Sequence, residues 1–231
     1  MREIVLDTET TGLEPAEGHR IVEIGAVELY NHMPTGRVYH QYINPQRDMP
    51  PEAFAVHGLS EEFLRGHPVF AAIGQAFLDF VGDARLVIHN AAFDIKFLNF
   101  ELGRIGLAQF EWDRVTDTLA LARRRFPGAP ASLDALCRRF GVDNSAREKH
   151  GALLDSEILA DVYLELIGGR QPDLVLAPTA PRSTGAAVPD ADWRPRPRPA
   201  PLPPRLTEAE AEAHAAFVAA MGEAAIWNRK A

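Results

Sequence analysis

The chain has 231 residues, of which 46% are hydrophobic and 24% are charged, and its formal net charge is −8. This length supports one substantial core, and the composition is that of an ordinary soluble globular protein. The negative charge argues against a nonspecific nucleic-acid coat, which is normally basic. The single cysteine, Cys137, excludes an internal disulfide and a cysteine-based zinc site. Neither a membrane span nor a signal peptide is predicted, so we expect a cytoplasmic protein.

The first part of the chain alternates between strand and helix patterns. Predicted strands cover 2–8, 21–30, 37–43 and 85–89, and predicted helices cover 69–81, 92–105, 117–125, 132–140 and 152–167. The last of these helices has an apolar face that includes Leu154 and Ile158, and it stops at Gly168 and Gly169. Cys137 lies in a predicted helix, where we expect a packing role. The alternation predicts an α/β fold.

The composition changes after the last of these helices. Ten of the 18 prolines lie in 171–205, which cannot bury a core and is therefore predicted to be a linker. Thr207 and Glu210 then fit a capping box that opens a helix rich in alanine and glutamate. The segment 206–231 is too short to fold alone. Its apolar residues favour a docking peptide for another protein, with a frayed tail as the alternative.

The end of the first predicted strand carries two carboxylates. In IVLDTETTGL, Asp7 and Glu9 follow an apolar run and, being two residues apart, point to the same face. Two like charges at the end of a buried strand repel each other and lose hydration. Other candidates are Asp94 in VIHNAAFD, and His150 with Asp155 in KHGALLDSEIL. Each of these alone has a structural explanation, since aspartate at a helix start is usually a cap.

As a group, these residues suggest metal chemistry. Oxygen ligands without cysteine suit Mg²⁺ or Mn²⁺, and several carboxylates at one place repel unless cations neutralise them. Two such cations can hold the attacking water and the leaving oxygen of a phosphodiester in line. A nearby histidine can remove the proton from that water. If the acidic residues converge, the pattern therefore predicts phosphodiester hydrolysis.

Three short motifs occur in the order and at the spacing of a known family. LDTETTG, HNAAFD and HGALLD resemble the motifs of the 3′–5′ exonucleases that use four acidic residues and a histidine. The closer resemblance is to the epsilon-subunit family of bacterial DNA polymerase III, and it includes HRIVEIGAVEL, PEAFAVHGLS, RVTDTLALARRRFPG and SLDALCRRFGVDNS. It covers nearly all of residues 2–170. The resemblance implies an exonuclease domain over 1–170, with the mixed β-sheet and flanking helices of the RNase H-like fold.

The resemblance also implies a role for each member of the acidic set. Asp7, Glu9 and Asp155 would hold the metal ion that binds and activates water. Asp7 would also bridge to a second ion, which Asp94 supports, and His150 would be the general base. The implied cofactors are two divalent cations, Mg²⁺ or Mn²⁺.

The family further implies contacts with the substrate. They fall at Thr10, Thr11, Leu13, Val56, His57, Asn90 and Phe93. Leu13 and Phe93 could pack on a base or sugar, and such stacking tolerates any base. A buried, hydrogen-bonded turn role remains the alternative for His57, and a core role remains the alternative for Phe93.

Two later segments resemble docking elements. The segment 171–176, QPDLVL, is similar to peptides that bind the bacterial sliding clamp, through Gln171, Leu174 and Leu176. A linker start packed on the core is the alternative. The segment 206–231 resembles the tail with which the family binds the polymerase alpha subunit, and the resemblance leaves open a small accessory subunit. The proline-rich linker departs from the glutamine-rich one of the family and should be stiffer.

The predicted function is hydrolysis of the 3′-terminal phosphodiester of single-stranded or mispaired DNA, which releases nucleoside 5′-monophosphates during proofreading by DNA polymerase III. This would place the protein at the bacterial replisome, where tethering offsets the weak DNA affinity expected from its negative charge. Two alternatives stay open. One is an RNA-trimming exonuclease of the same fold, and the other is a polymerase scaffold with a vestigial nuclease site.

Overall fold

The computed structural model describes residues 1–147, 149–169 and 206–222. The first two ranges belong to one compact unit and the third belongs to another, so each unit is described by itself. The predicted linker and its clamp-type peptide lie outside the described residues, as does the last part of the tail.

A five-stranded mixed sheet forms the centre of the first unit. Its strands are β1 (Arg2–Thr10), β2 (Ile21–Tyr30), β3 (Met33–Tyr42), β4 (Arg85–Ile88) and β5 (Val115–Asp117). They lie in the order β3-β2-β1-β4-β5. Strands β1, β2 and β3 are antiparallel neighbours, whereas β4 runs parallel to both β1 and β5. The mixed sheet confirms the predicted α/β class.

The hairpin between β2 and β3 is tighter than the sequence pattern indicates. The predicted strand 37–43 in fact begins at Met33. Asn31 and His32 both adopt left-handed backbone, with φ of 49° and 66°, and they close a two-residue turn. Such turns match the twist of the flanking strands, so pairing begins at once.

Seven helices surround the sheet in the described part of this unit. They are α1 (Pro51–His57), α2 (Glu61–Arg65), α3 (Phe70–Val81), α4 (Ala91–Arg104), α5 (Thr118–Arg125), α6 (Leu133–Phe140) and α7 (Ala152–Leu166). All five predicted helices are present, with ends within one residue of the prediction. Helices α1 and α2 and strand β5 were not predicted, because seven, five and three residues are too few to show a clear period.

The sheet has a separate hydrophobic core on each face. Alternate residues of β1 divide between them, since Ile4 and Leu6 pack with α3 and α4, whereas Val5 packs with α5, α6 and α7. Cys137 is fully buried in the second core, which confirms its packing role. Because both faces are covered, β1 is held rigidly along its length, and its far end has a fixed position.

Helix α7 approaches the sheet closely at one glycine. A Cβ built on Gly25 of β2 would lie 2.1 Å from the backbone nitrogen of Leu153, so no larger residue fits there. The Ser156 hydroxyl lies 2.9 Å from the Gly25 carbonyl oxygen and 2.8 Å from that of Ala152. Gly25 pairs with Asp7 across the sheet. The start of α7 is therefore fixed beside the acidic end of β1.

The second unit contains one described helix, α8 (Glu208–Ala220). Thr207 and Glu210 form the predicted capping box, in which each side chain meets the backbone of the other. Phe217 is 62% exposed, so the helix leaves an apolar side chain on its surface. No helix among the described residues is long and apolar enough to cross a membrane.

Candidate active site

The first two carboxylates lie where β1 extends beyond its neighbour. Pairing with β4 ends at Val5, while pairing with β2 continues to Thr10. Asp7 and Glu9 therefore lie on an open edge, and both point to the α7 side of the sheet. Glu9 is 7% exposed and Asp7 is partly exposed. The sequence prediction that the two carboxylates share a face is confirmed.

Asp94 comes to the same edge from α4. Strand β4 ends at Ile88, and the chain turns at Asn90, whose φ of 61° and ψ of 49° allow α4 to start at once. Asp94 lies in the first turn and is 3% exposed. Its Oδ1 accepts hydrogen bonds from the Thr8 backbone nitrogen at 3.0 Å and from the Thr8 hydroxyl at 2.6 Å. Thr8 thus fixes Asp94 beside Asp7 and Glu9.

His150 and Asp155 come from the start of α7. Asp155 is 2% exposed in the first turn, and its Oδ2 lies 3.3 Å from Nδ1 of His150. The His150 side chain is 50% exposed, and its backbone nitrogen donates to the Val56 carbonyl oxygen at 3.3 Å. One ligand atom each from Glu9, His150 and Asp155 lies within 4.8 Å of the others. All five residues of the predicted catalytic set therefore lie around one edge of the sheet.

Three further polar residues shape this edge and were not predicted: Thr8, Asp134 and Arg147. Arg147 forms a two-pronged ion pair with Asp155, from Nε to Oδ1 at 2.5 Å and from Nη2 to Oδ2 at 2.8 Å. Its Nη1 donates to Asp134 Oδ1 at 2.8 Å. No periodicity marks these residues in the sequence. The one sequence feature that could have drawn attention to Arg147 is its position three residues before His150.

The carboxylates of the site differ in charge environment. Burial and the neighbouring Asp94, Glu9 and Asp155 raise the pKa of Asp7 well above its ordinary value. Burial and adjacent carboxylates, Asp155 first among them, raise the pKa of Glu9 to about 8. Burial raises the pKa of Asp94 to about 7, against the hydrogen bonds from Thr8.

Asp155 is the exception. Burial acts to raise its pKa, but the contacts with His150 and Arg147 outweigh burial and hold the pKa below its ordinary value. Among the described residues, no arginine or histidine hydrogen-bonds to the other three carboxyls, and their pKa values are raised. The site combines several oxygen donors and one imidazole and has little positive charge. Hard divalent cations require ligands of this kind. The residues present fit the predicted metal site.

Residues at this edge of the sheet line two cavities. The first, of about 470 Å³, is lined by Glu9 and by six of the predicted nucleotide contacts. These six are Thr10, Thr11, Leu13, Val56, His57 and Phe93. The seventh, Asn90, lies instead in a second cavity of about 550 Å³, together with Asp7, His150 and Asp155. Glu9 thus lines the first cavity, Asp7 and Asp155 line the second, and Asn90 lines a different cavity from the other predicted contacts.

The first cavity offers both apolar and polar surface. Leu13 is 78% exposed and Val56 is 48% exposed, so both offer apolar surface to the cavity. Phe93 lines the cavity and also packs on Phe97, with ring centroids 5.0 Å apart. His57 is buried and its Nδ1 accepts from the Leu59 backbone nitrogen at 3.0 Å. Phe93 therefore packs in the core and also lines the cavity. His57 is a buried, hydrogen-bonded turn residue and also lines the cavity.

Comparison with known proteins places the chain in a family. The exonuclease family model, RNase_T, matches residues 4–163. The chain is 58% identical over 174 residues to the DNA polymerase III subunit epsilon of Rickettsia conorii, which covers 74% of this chain and 76% of the relative. It is 52% identical over 176 residues to the subunit of that name from Escherichia coli (strain K12), which covers 73% and 72% of the two chains.

Solved structures agree with this placement. Exonuclease X in complex with 5′ overhanging duplex DNA has a TM-score of 0.55 at 25% identity, over 71% of this chain and 90% of that one. The nuclease domain of 3′hExo, described as a DEDDh family member bound to rAMP, has a TM-score of 0.63 at 18% identity, over 72% and 91%. These similarities confirm the RNase H-like fold. The chain therefore belongs to the exonuclease family and, within it, to the epsilon subunits of bacterial DNA polymerase III.

Proposed function

We propose that the chain hydrolyses the 3′-terminal phosphodiester of mispaired or single-stranded DNA and releases nucleoside 5′-monophosphates, as the proofreading exonuclease of DNA polymerase III. One observation carries the proposal. Three of the four carboxylates and the half-exposed histidine line two cavities at one edge of the sheet, and the pKa values of Asp7, Glu9 and Asp94 are raised. Strongly perturbed acidic groups in a cleft are typical of functional sites.

The acidic residues would hold two divalent cations, Mg²⁺ or Mn²⁺. Asp7, Glu9 and Asp155 would share one of them, and Asp7 with Asp94 would hold the other. When bound, such cations lower the pKa of water and stabilise the negative charge that develops on phosphate oxygens. Thr8 contributes by fixing the orientation of Asp94 through two hydrogen bonds. Partners of this kind usually change metal affinity by about 10- to 100-fold.

His150 would act as the general base that accepts the proton of the attacking water. Its ring is half exposed toward the second cavity, and Asp155 lies 3.3 Å from Nδ1. A carboxylate in that position orients the ring and stabilises the charge that the ring acquires with the proton. The same histidine is close enough to Glu9 and Asp155 for one ion to touch all three residues.

The terminal nucleotide would occupy the first cavity. Leu13, Val56 and Phe93 offer apolar surface to its base and sugar, and Thr10 and Thr11 offer hydroxyl and backbone groups. Contacts of this kind are tolerant of base identity. Asn90 lines the second cavity and would contact the substrate there. Tolerance suits an enzyme that must remove any of the four nucleotides.

The tail would place the nuclease at the replisome in the cytoplasm. In this proposal the chain divides into an exonuclease domain, 1–170, a linker, 171–205, and a polymerase-binding segment, 206–231. The alpha subunit would bind the last of these, which includes α8 with its exposed Phe217. The sliding clamp would bind Gln171, Leu174 and Leu176. Co-purification with the polymerase, with and without 206–231, tests this arrangement.

A mispaired primer assay tests the enzymatic proposal. Wild type with Mg²⁺ should shorten the primer from its 3′ end, and Asp7→Ala should reduce that rate on the order of 10²–10³-fold, because it removes the residue expected to contact both cations. Equally slow degradation by both proteins would mean that the nuclease site is vestigial. Matched DNA and RNA 3′ ends form the second arm, and faster cleavage of RNA would favour the RNA-trimming alternative.

A further inference from the structure

A cationic side chain occupies the centre of the acidic site. Arg147 is 10% exposed, and its Nε and Nη2 meet the two oxygens of Asp155 at 2.5 and 2.8 Å. Two parallel contacts of this kind are the strongest arrangement between arginine and a carboxylate. The arginine thus covers both oxygens of a residue that is expected to bind metal.

The contact selects one of the four carboxylates. Among the described residues, Arg147 hydrogen-bonds to both oxygens of Asp155, and no hydrogen bond joins it to Asp7, Glu9 or Asp94. A divalent cation that binds Asp155 has to compete for the same oxygens.

Arg147 also contacts the predicted general base. Its Nη2 lies 2.8 Å from Nδ1 of His150. Arginine can only donate, so Nδ1 must accept in this contact, and a neutral imidazole then carries its proton on Nε2. In that tautomer neither ring nitrogen is free to take a proton from water. Withdrawal of Arg147 would allow Nδ1–H to donate to Asp155 and would leave Nε2 as the base.

The remaining contact of Arg147 leads away from the carboxylates. Nη1 donates to Asp134 on α6 at 2.8 Å, and the Asp134 side chain is 46% exposed. The Asn144 side-chain nitrogen donates to the same Asp134 oxygen at 3.0 Å. Asp134 thus anchors the loop between α6 and α7 at two points. It would retain Arg147 after the contact with Asp155 is broken.

We propose that Arg147 is a positioning residue that competes with a divalent cation for the oxygens of Asp155. Its contacts hold Asp155 and His150 in position and keep His150 in the unreactive tautomer. Metal binding displaces it from Asp155, and Asp134 keeps it at the wall of the second cavity. This inference rests on the proposed function, because it assumes that Asp155 binds metal.

Mn²⁺ binding to the full chain tests the proposal directly. Calorimetric titration should show that Arg147→Ala binds Mn²⁺ about tenfold more tightly, since one charged hydrogen-bonded competitor has been removed. The melting temperature without metal should fall, and it should return to the wild-type value when Mn²⁺ is saturating. Arg147→Lys keeps the charge without the two-pronged geometry, so its affinity for Mn²⁺ should lie between the two.

Arg139→Ala is the matched control, because it removes the same charge from the nearby helix α6. The Arg139 guanidinium lies 4.4 Å from the centre of the Phe126 ring, and its removal should leave Mn²⁺ affinity unchanged. Weaker or unchanged Mn²⁺ binding by both Arg147 variants, with equal loss of melting temperature in both metal states, would overturn the inference. Absence of Mn²⁺ binding by wild type would instead overturn the proposed function as well.

Discussion

Strand β1 carries a carboxylate near each end on the same side of the sheet, and the two have opposite surroundings. Glu3 is fully buried, and its Oε1 accepts a hydrogen bond from the Tyr163 hydroxyl at 2.7 Å. Nδ1 of His32 lies 2.7 Å from its other oxygen, though without hydrogen-bond alignment. Glu9 instead faces the carboxyls of Asp155 and other acidic residues, and its pKa rises to about 8.

Other buried glutamates resemble Glu3 more than Glu9. Arg20 forms a two-pronged ion pair with Glu101, from Nε to Oε1 at 2.5 Å and from Nη2 to Oε2 at 2.8 Å. Arg37 contacts Glu28 at 2.7 Å. A buried carboxylate with such a partner contributes to the fold, because its lost hydration is replaced. Buried carboxylates that face one another have no such compensation. A cluster of buried carboxylates of this kind is typical of a functional site.

The largest expected effect on the exonuclease rate comes from removing the histidine that lies near one of these two carboxylates. His150→Ala should reduce the exonuclease rate about 10²–10⁴-fold, the range for loss of a general base, even where Mn²⁺ still binds. His32→Ala, at the opposite end of β1, should leave the rate of the folded protein unchanged. Primer-shortening rates of both variants, taken with Mn²⁺ titrations, check this contrast. Equal rates in wild type and His150→Ala would remove the general-base role.

Replacement of each glutamate by glutamine should separate an effect on activity from an effect on stability. Glu9→Gln should lower the rate on the order of 10²–10³-fold, because a neutral amide binds a cation poorly. Glu3→Gln should leave the rate unchanged but reduce the free energy of unfolding by about 1–3 kcal/mol, since it disturbs a buried hydrogen bond. The exonuclease rate and the urea unfolding curve of each variant check this prediction. If Glu9→Gln costs as much stability as Glu3→Gln, the two ends do not differ as argued.

The contrast also explains what the sequence could reveal. The continuous apolar run before Asp7 predicts a rigid buried strand, and the period of two in 21–30 predicts the whole of β2. The capping box of α8 follows from the spacing of Thr207 and Glu210 alone. These features are local. The convergence of Asp7, Glu9, Asp94, His150 and Asp155 depends on long-range packing, and the family motifs rather than any spacing suggested it.

The site residues that the sequence did not reveal are recognised by their contacts in the folded chain. Thr8 looks like any strand threonine until Asp94 is seen to accept two hydrogen bonds from it. Arg147 lies in a loop without periodicity, and Asp134 looks like a solvated charge on a helix. The left-handed backbone of Asn90 places it at the second cavity, which its position in the sequence does not reveal. Pairings of this kind depend on the folded chain.

The next effect concerns how α7 is held beside β1. Gly25→Ala should lower the rate about 100-fold, since a misplacement of about 1 Å has that effect and Cβ would meet the Leu153 nitrogen at 2.1 Å. Asp155, two residues further along, would move with the helix. Gly66→Ala is the matched control, because Cβ there meets nothing closer than 3.9 Å. Loss of activity in both variants, or in neither, would contradict the proposed role of this contact.

The smallest effect is a pH dependence of the metal-free protein. Glu9 and Asp94 have ordinary pKa values of 4.5 and 3.8 and folded values of about 8 and 7. The folded state therefore binds more protons than the unfolded chain up to about pH 8, so stability falls as pH rises. Burial lowers the pKa values of His57 and His89, which acts in the opposite direction, but only below their ordinary value of 6.5.

The informative window is therefore from about pH 6.5 to about pH 8.5. With EDTA, the melting temperature should fall across it by about 3 °C or more, because 1 kcal/mol corresponds to about 2–4 °C for a chain of this size. Saturating Mg²⁺ should remove the fall, and Glu9→Gln should reduce it without metal. Glu3→Gln should keep the wild-type slope, since its carboxyl lies at the other end of β1. A flat profile in EDTA would mean that the crowded carboxyls lose their protons without cost to the fold.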